Sequence, residues 1–294
     1  MAIITNKNNL PQALVDYVKS TEYSPTEKHY SVTTLIRGTT ETILSRRHND
    51  EIEVDVNEKV NMLFGTAVHH ILEQFDKTGF AEIYFKEEIR DGYYLSGKLD
   101  LYNPTEFSVE DWKTASVTKI QRQDFADWKK QGLMYAWLCY RQGKHVGKIR
   151  FHAILKDWSP SKKREAQRLN EFYPKAQIYT WKHTVSVADL QEIEKYIYER
   201  FNALIALESV EDKDLPPCSN EDTWYTGDHW CVIKKGGVKA YRKYETMQEA
   251  QDCYNGLKNK QEYQVIQRLG VHRKCQDYCA YCKFCKHYEK RKGE

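Results

Sequence analysis

The chain has 294 residues, 40% of them hydrophobic and 30% charged, which suits one large or two smaller globular domains with a sizeable core. Lys and Arg number 45 against 42 Asp and Glu, and the resulting +3 excludes a histone-like or polybasic-tail mode of binding nucleic acid, so any basic groove must be local. MAIITNKNNLPQAL contains no apolar leader and no apolar run reaches membrane-spanning length, so a cytoplasmic location is expected, with the eight cysteines serving as thiols or metal ligands rather than disulfides.

Residues 33–47 read as one helix and 51–56 (EIEVDV) as a strand. In 59–75, Val60, Phe64, Val68, Ile71 and Phe75 recur at helical spacing and predict an amphipathic helix. YYLSGKLDLYN then alternates, with Leu95, Leu99 and Leu101 on one side and Ser96, Lys98 and Asp100 on the other. After the turn residues Asn103 and Pro104, FSVEDWKT reads as the partner strand of a hairpin. Residues 124–142 are helical, KIRFHAILKDW and AQIYTWKHTVSV are strands, and Ser186 caps a helix to about Ser209 with Asp189 as its acidic third residue. DLPPCSNEDTW breaks the pattern. Beyond it, WCVIKKG, KAYRKYET, the helix MQEAQDCYNGLKN and YQVIQRL form a β-β-α-β unit. The chain thus divides into a core (1–218), an insertion (219–269) and a cysteine-dense C-terminal segment (270–294).

The chemistry concentrates in GKLDLY and VEDWKT. Side chains two apart on a strand point the same way, so Asp111 and Lys113 share a face, and Asp100 on the adjacent strand could meet them. Two carboxylates and a lysine at one spot suit a divalent-metal hydrolase: hard oxygens hold Mg²⁺ or Mn²⁺, and the lysine polarises a water or a phosphoryl oxygen. D-x-K alone is commonplace, usually a solvated strand face; its neighbours give it weight. Gly65 and His69 lie four apart on the helix before it, where a glycine permits close approach to the hairpin and the histidine could be a further ligand. Gln131 and Tyr135 lie four apart on the helix after it, suited to a phosphate or base. Both His69 and His70 lie off the apolar stripe, and only the G-x-x-x-H spacing favours His69. Glu110 falls on the opposite face from Asp111 and reads as non-catalytic, and Glu88 has no assigned place.

The ordered set Gly65-x-x-x-His69, Gly97-x-x-Asp100, Asp111-x-Lys113 and Gln131-x-x-x-Tyr135 resembles the RecB-like branch of the PD-(D/E)XK nuclease superfamily over about residues 60–140. The resemblance implies an α/β, restriction-endonuclease-like core, a central mixed sheet flanked by helices. It implies a metal-dependent deoxyribonuclease that hydrolyses phosphodiesters with a metal-activated water. An exonuclease acting on DNA ends in recombination or repair is the expected form, as in standalone bacteriophage or bacterial members working beside a strand-annealing protein. In this resemblance His69, Asp100, Asp111 and the Trp112 carbonyl are metal ligands, Lys113 is the catalytic lysine, and Gln131 and Tyr135 face the substrate. No G-x-x-x-x-G-K-[ST] occurs, so a helicase motor would be on another chain.

Cys275, Cys279, Cys282 and Cys285 crowd one short stretch, as thiolates around a metal or cluster do. Some RecB-like nucleases bind a 4Fe-4S cluster through one upstream and three clustered cysteines, which implies Cys218 with Cys275, Cys279 and Cys285. Here an insertion separates Cys218 from the rest and Cys282 is one thiol more than the pattern needs, so a Zn²⁺ site of Cys275, Cys279, Cys282 and Cys285 competes. Cys139, Cys231 and Cys253 lie inside elements and read as packing residues. In the insertion, Lys234, Lys235, Lys239, Arg242 and Lys243 interleave with Trp230, Tyr241 and Tyr244, either as a solvated face or as a grip on a single strand. The rival to an enzyme is a non-catalytic nucleic-acid-binding protein with a zinc-stabilised module.

Overall fold

A computed structural model describes residues 2–21, 26–75, 80–288 and 291. Strand β1 (Ile3–Thr5) leads into α1 (Gln12–Ser20), whose Val15 and Val18 form a small core of their own with Val56. β2 (His29–Ser31) passes directly into α2 (Val32–Leu35), where the Ser31 hydroxyl accepts from the Thr34 N–H. The single helix expected over 33–47 is in fact two, because the chain breaks at Gly38 before α3 (Thr39–His48). A Cβ at Gly38 would lie 2.7 Å from Cys218 Sγ, so the break is where the backbone makes room for that thiol. β3 (Glu53–Asp55) pairs in parallel with β1.

Helix α4 (Val56–Phe75) matches the predicted period but does not bury it. Phe64, Ile71 and Phe75 are 56%, 54% and 73% exposed, although such a stripe usually faces a core.

The main sheet starts with the hairpin β4 (Ala81–Arg90) and β5 (Tyr93–Asn103), turned at Asp91 and Gly92, both at positive φ. β6 (Ser108–Ala115), α5 (Val117–Arg122), α6 (Ala126–Arg141) and β7 (Lys148–Leu155) follow. Then come α7 (Pro160–Leu169), β8 (Ile178–Thr184) and α8 (Val187–Leu207). The strand order is β2-β5-β6-β7-β8, with β4 also on β5; β6 and β7 are parallel, β5 and β6 antiparallel, so the sheet is mixed. Parallel neighbours need a crossover, and α6 provides it. Met134, Trp137 and Leu138 fill the layer between α6 and the sheet, and a Cβ at Gly132 would sit 2.5 Å from Ile149 Cγ2, so helix and strand touch through that glycine. α8 packs on α6 through Ile193, Ile197, Phe201 and Leu204 and starts, as its sequence predicts, with a Ser186–Asp189 capping box.

The β-β-α-β segment comprises β9 (His229–Lys234), β10 (Ala240–Tyr244), α9 (Met247–Gly256) and β11 (Tyr263–Arg268), an antiparallel sheet in the order β10-β9-β11. Its two ends lie side by side: Tyr225 bridges His272, and the Thr226 N–H donates to the Val271 carbonyl at 3.1 Å. After α10 (Arg273–Asp277) the chain docks on α3, with the Phe284 ring stacked on His48 at 3.9 Å. Lys274 pairs with Glu41, and Lys283 Nζ donates to the Glu51 carbonyl. Among the described residues no helix is long and apolar enough to cross a membrane.

Candidate active site

β5 divides its inner edge between two partners. It pairs with β2 only over Tyr94–Ser96 and with β6 only over Leu101–Asn103, so Gly97 to Asp100 face a fork in the sheet. β6, having left β5 after Glu110, keeps β7 alone along its far edge. Asp100 and Asp111 stand at the mouth of this fork. The Trp112 N–H, which has no strand to bond on that side, donates instead to Asp100 Oδ2 at 2.8 Å. The N–H and C=O of a strand residue face the same edge, so the Trp112 carbonyl faces the fork too.

Asp111 is 2% exposed. Lys113 Nζ lies 2.7 Å from its Oδ1 and 2.6 Å from its Oδ2, and Gln131 Nε2 approaches Oδ1 at 3.4 Å. Oδ2 accepts no hydrogen bond and has only the lysine's charge. Burial pushes this carboxyl up to about 6, and the nearby Asp100 adds to that, against the opposing charge of Lys113. Gln131 also donates to the Tyr135 hydroxyl at 3.1 Å, and burial raises that phenol. The four residues form one buried chain from the strand to the helix.

Gly97 is what lets α6 come this close. A Cβ there would meet Tyr135 Cε1 at 2.8 Å and Leu138 Cδ1 at 2.9 Å. The close approach expected at Gly65 is not found, since a Cβ there would touch only Thr114 Oγ1, at 4.0 Å. His69 reaches over the fork from α4, with Nδ1 3.3 Å from Asp100 Oδ2; its hydrogen bond to Asp100 raises its pKa in spite of burial. His70 is exposed and bonds Gln74.

Sequence reasoning missed Glu82. Its carboxylate, His69 and Asp100 bring one ligand atom each within 4.8 Å of one another, and Glu82 pairs with Lys98. Asp111 stands outside that triangle, held by Lys113 and Gln131. Glu110, on the other face, accepts from Ser108, Arg150 and His152; burial works against its ionisation, but these partners hold it down to about 2. Glu88 accepts the Gly92 N–H at the far end of the hairpin.

Cys218 meets the C-terminal group through Arg291, which donates to the Cys218 carbonyl at 2.9 Å and lies 3.8 Å from Cys275 Sγ. Cys218 and Cys285 are near enough for one thiolate to disfavour the other, as are Cys279 with Cys275 and Cys282. Burial raises Cys218 to about 11 and Cys279 to about 12. Cys139 and Cys231 are fully buried, whereas Cys253 is half-buried beside Tyr244. In the insertion Lys234 pairs with Glu262, Lys235, Lys239, Arg242 and Lys243 are exposed, and Trp230 and Tyr244 are half-buried.

No family model matches the chain, and no curated protein matches it. Among solved structures it is similar to SSO0001, at 17% identity and a TM-score of 0.45, over 68% of this chain and 84% of that one. It is also similar to a phage-related exonuclease from Haemophilus somnus, at 11% identity and a TM-score of 0.34, over 58% of this chain and 82% of that one. At these scores neither likeness speaks for the chemistry of this chain, which rests on the residues at the fork.

Proposed function

We propose that the chain is a divalent-metal-dependent deoxyribonuclease of the RecB-like PD-(D/E)XK type, an exonuclease acting on DNA ends in recombination or repair beside a strand-annealing partner. The observation that carries this reading is the fork itself: Asp100, Asp111, the Trp112 carbonyl and Lys113 converge where two strands part. The donor set fits Mg²⁺ or Mn²⁺, with hard carboxylate and carbonyl oxygens, an imidazole at the rim and one buried carboxylate oxygen lacking a hydrogen bond. His69, Asp100, Asp111 and the Trp112 carbonyl would hold the ion. When bound, such an ion lowers the pKa of a coordinated water and offsets charge on the phosphate.

The remaining work falls to this chain's own groups. Lys113 has three donors and spends them on Asp111 at one side, leaving its charge at the fork for a phosphoryl oxygen. Gln131 and Tyr135 fix the Asp111 carboxylate from behind and are the groups nearest to orient a nucleotide.

The same reading takes 1–218 as the restriction-endonuclease-like core, 219–269 as an insertion and 270–294 as a metal-binding segment folded back on the core. The bridge between Tyr225 and His272 supports the insertion, since a segment that leaves and returns at one place can be added without disturbing its host. Cys218, Cys275, Cys279 and Cys285 would hold a 4Fe-4S cluster. Arg291, which spans Cys218 and Cys275, supports including the upstream cysteine, which a zinc site of the four clustered cysteines would leave without a role.

The test is cleavage of end-labelled single- and double-stranded DNA with Mg²⁺, with Mn²⁺ and with EDTA. Asp111→Asn and Lys113→Ala should abolish a metal-dependent cleavage while leaving DNA binding intact. Rates for Lys113→Ala within a few-fold of wild type would sink the mechanism.

A further inference from the structure

Glu82 lies outside the four motifs that mark the fork, yet the hairpin delivers it there. The register that pairs Ala81 with Leu101 and Ile83 with Leu99 sets Glu82 opposite Asp100. Within that strand Glu82 has a φ of +55°, a left-handed conformation that non-glycine residues keep only where their surroundings impose it. The result is a carboxylate of β4, a carboxylate of β5 and an imidazole of α4 with ligand atoms all within 4.8 Å. Their side chains are 19%, 16% and 32% exposed, so water screens the two acids only in part. Lys98 supplies a positive charge to Glu82, but its own side chain is 62% exposed and free to withdraw into solvent. Asp111 is separately engaged by Lys113, and its Oδ2, on a side chain 3% exposed, accepts no hydrogen bond. The fork therefore holds two negative centres that meet at Asp100.

We infer that Glu82, His69 and Asp100 form a second divalent-cation position beside the one at Asp111, with Asp100 shared between them; this rests on the metal-dependent reading above. Ions about 3.5–4 Å apart and joined by one carboxylate form a clamp suited to the two oxygens of a phosphodiester in displacement. Lys98 stands in for the second ion and is displaced when it binds.

Calorimetric titration of EDTA-dialysed full-length protein with Mn²⁺ decides the matter without reference to cleavage. Wild type should bind two ions per chain, and Glu82→Gln should bind fewer. Glu82→Gly should bind as Glu82→Gln does while melting no lower than wild type, because glycine adopts the left-handed backbone freely, so misfolding cannot explain the loss. Lys98→Met should tighten the weaker ion several-fold by removing its competitor. One ion in the wild type, or two in Glu82→Gln, overturns the second position. No ion in the wild type overturns the metal-dependent reading itself.

Discussion

Gly97→Ala should damage the site without altering any group that could hold an ion or touch a phosphate. The new methyl would lie 2.8 Å and 3.0 Å from two carbons of the Tyr135 ring and 2.9 Å from Leu138 Cδ1. Tyr135 is 6% exposed and Leu138 fully buried, so neither can swing into solvent; the helix or the strand must shift instead. Overpacking of this kind costs about 1–3 kcal/mol. With an unfolding entropy near 2.1 cal/mol/K per residue, a chain this long loses ~0.6 kcal/mol per degree, so Tm should fall by roughly 2–5 °C. Cleavage should fall by at least about tenfold, because the Tyr135 hydroxyl holds Gln131 and Gln131 holds Asp111. A double-mutant cycle with Tyr135→Ala separates this cause from general strain: removing the ring removes most of the clash, so the two stability losses should be less than additive by about 1 kcal/mol. Gly65→Ala is the control and should be neutral or slightly stabilising, since a helix interior favours alanine. Strict additivity, or a Tm within a degree of wild type for Gly97→Ala, would refute the close-approach argument.

His69→Ala should weaken Mn²⁺ binding and cleavage by at least an order of magnitude, and His70→Ala should leave both unchanged, as metal titration and the cleavage assay would show. His48 should make the docking of the C-terminal segment pH-dependent: burial opposes its charge, but hydrogen bonds to Glu51 and Asp212 raise its pKa while that of Asp212 is lowered. A raised histidine contributes stability that is full below its unfolded pKa of ~6.5 and fades as pH rises through the folded value. The Tm difference between wild type and His48→Gln should thus be largest near pH 5–6 and shrink above pH 8; a difference that grows with pH counts against the ion pairs. Protein purified without oxygen should be brown, with about four irons per chain, and Cys218→Ala should lower Tm as much as Cys279→Ala. Colourless protein with one zinc, indifferent to Cys218→Ala but not to Cys282→Ala, would establish the zinc site.

Local signals made much of this architecture legible before any coordinates. Alternation found β5, the Ser186 and Asp189 spacing found the start of α8, and period found α4 and α6. What local signals could not supply are choices made across long separations. The break at Gly38 answers to a thiol at Cys218, and nothing within a helical window reports it. Glu82 shows the limit most sharply. Asp91 and Gly92 form a two-residue turn that pairs Arg90 with Tyr93, and continuing that register sets Ile83 opposite Asp100. A shift between Glu88 and Arg90 moves the strand by one residue and brings Glu82 there instead. The stripe on α4 misleads in the opposite sense, because period reveals which residues share a face and not whether anything covers it.

The fork also ties the chemistry of Asp100 to the architecture around it. Where β5 and β6 part, the sheet loses a ladder bond at the Trp112 N–H, and a half-buried donor left without a partner costs about 1–3 kcal/mol. Asp100 Oδ2 takes that donor at 2.8 Å, so a single carboxylate closes the sheet's hydrogen bonding while its charge faces the fork. The two duties separate by substitution. Asparagine keeps an acceptor oxygen and gives up the charge; alanine gives up both. Asp100→Asn should therefore be inactive with a Tm close to wild type, whereas Asp100→Ala should be equally inactive and melt about 2–5 °C lower. Thermal melts in EDTA isolate this effect from any contribution of bound ions. Equal melting temperatures for the two variants would show that water, and not Asp100, satisfies the Trp112 amide, and that the strands part for some reason other than this carboxylate.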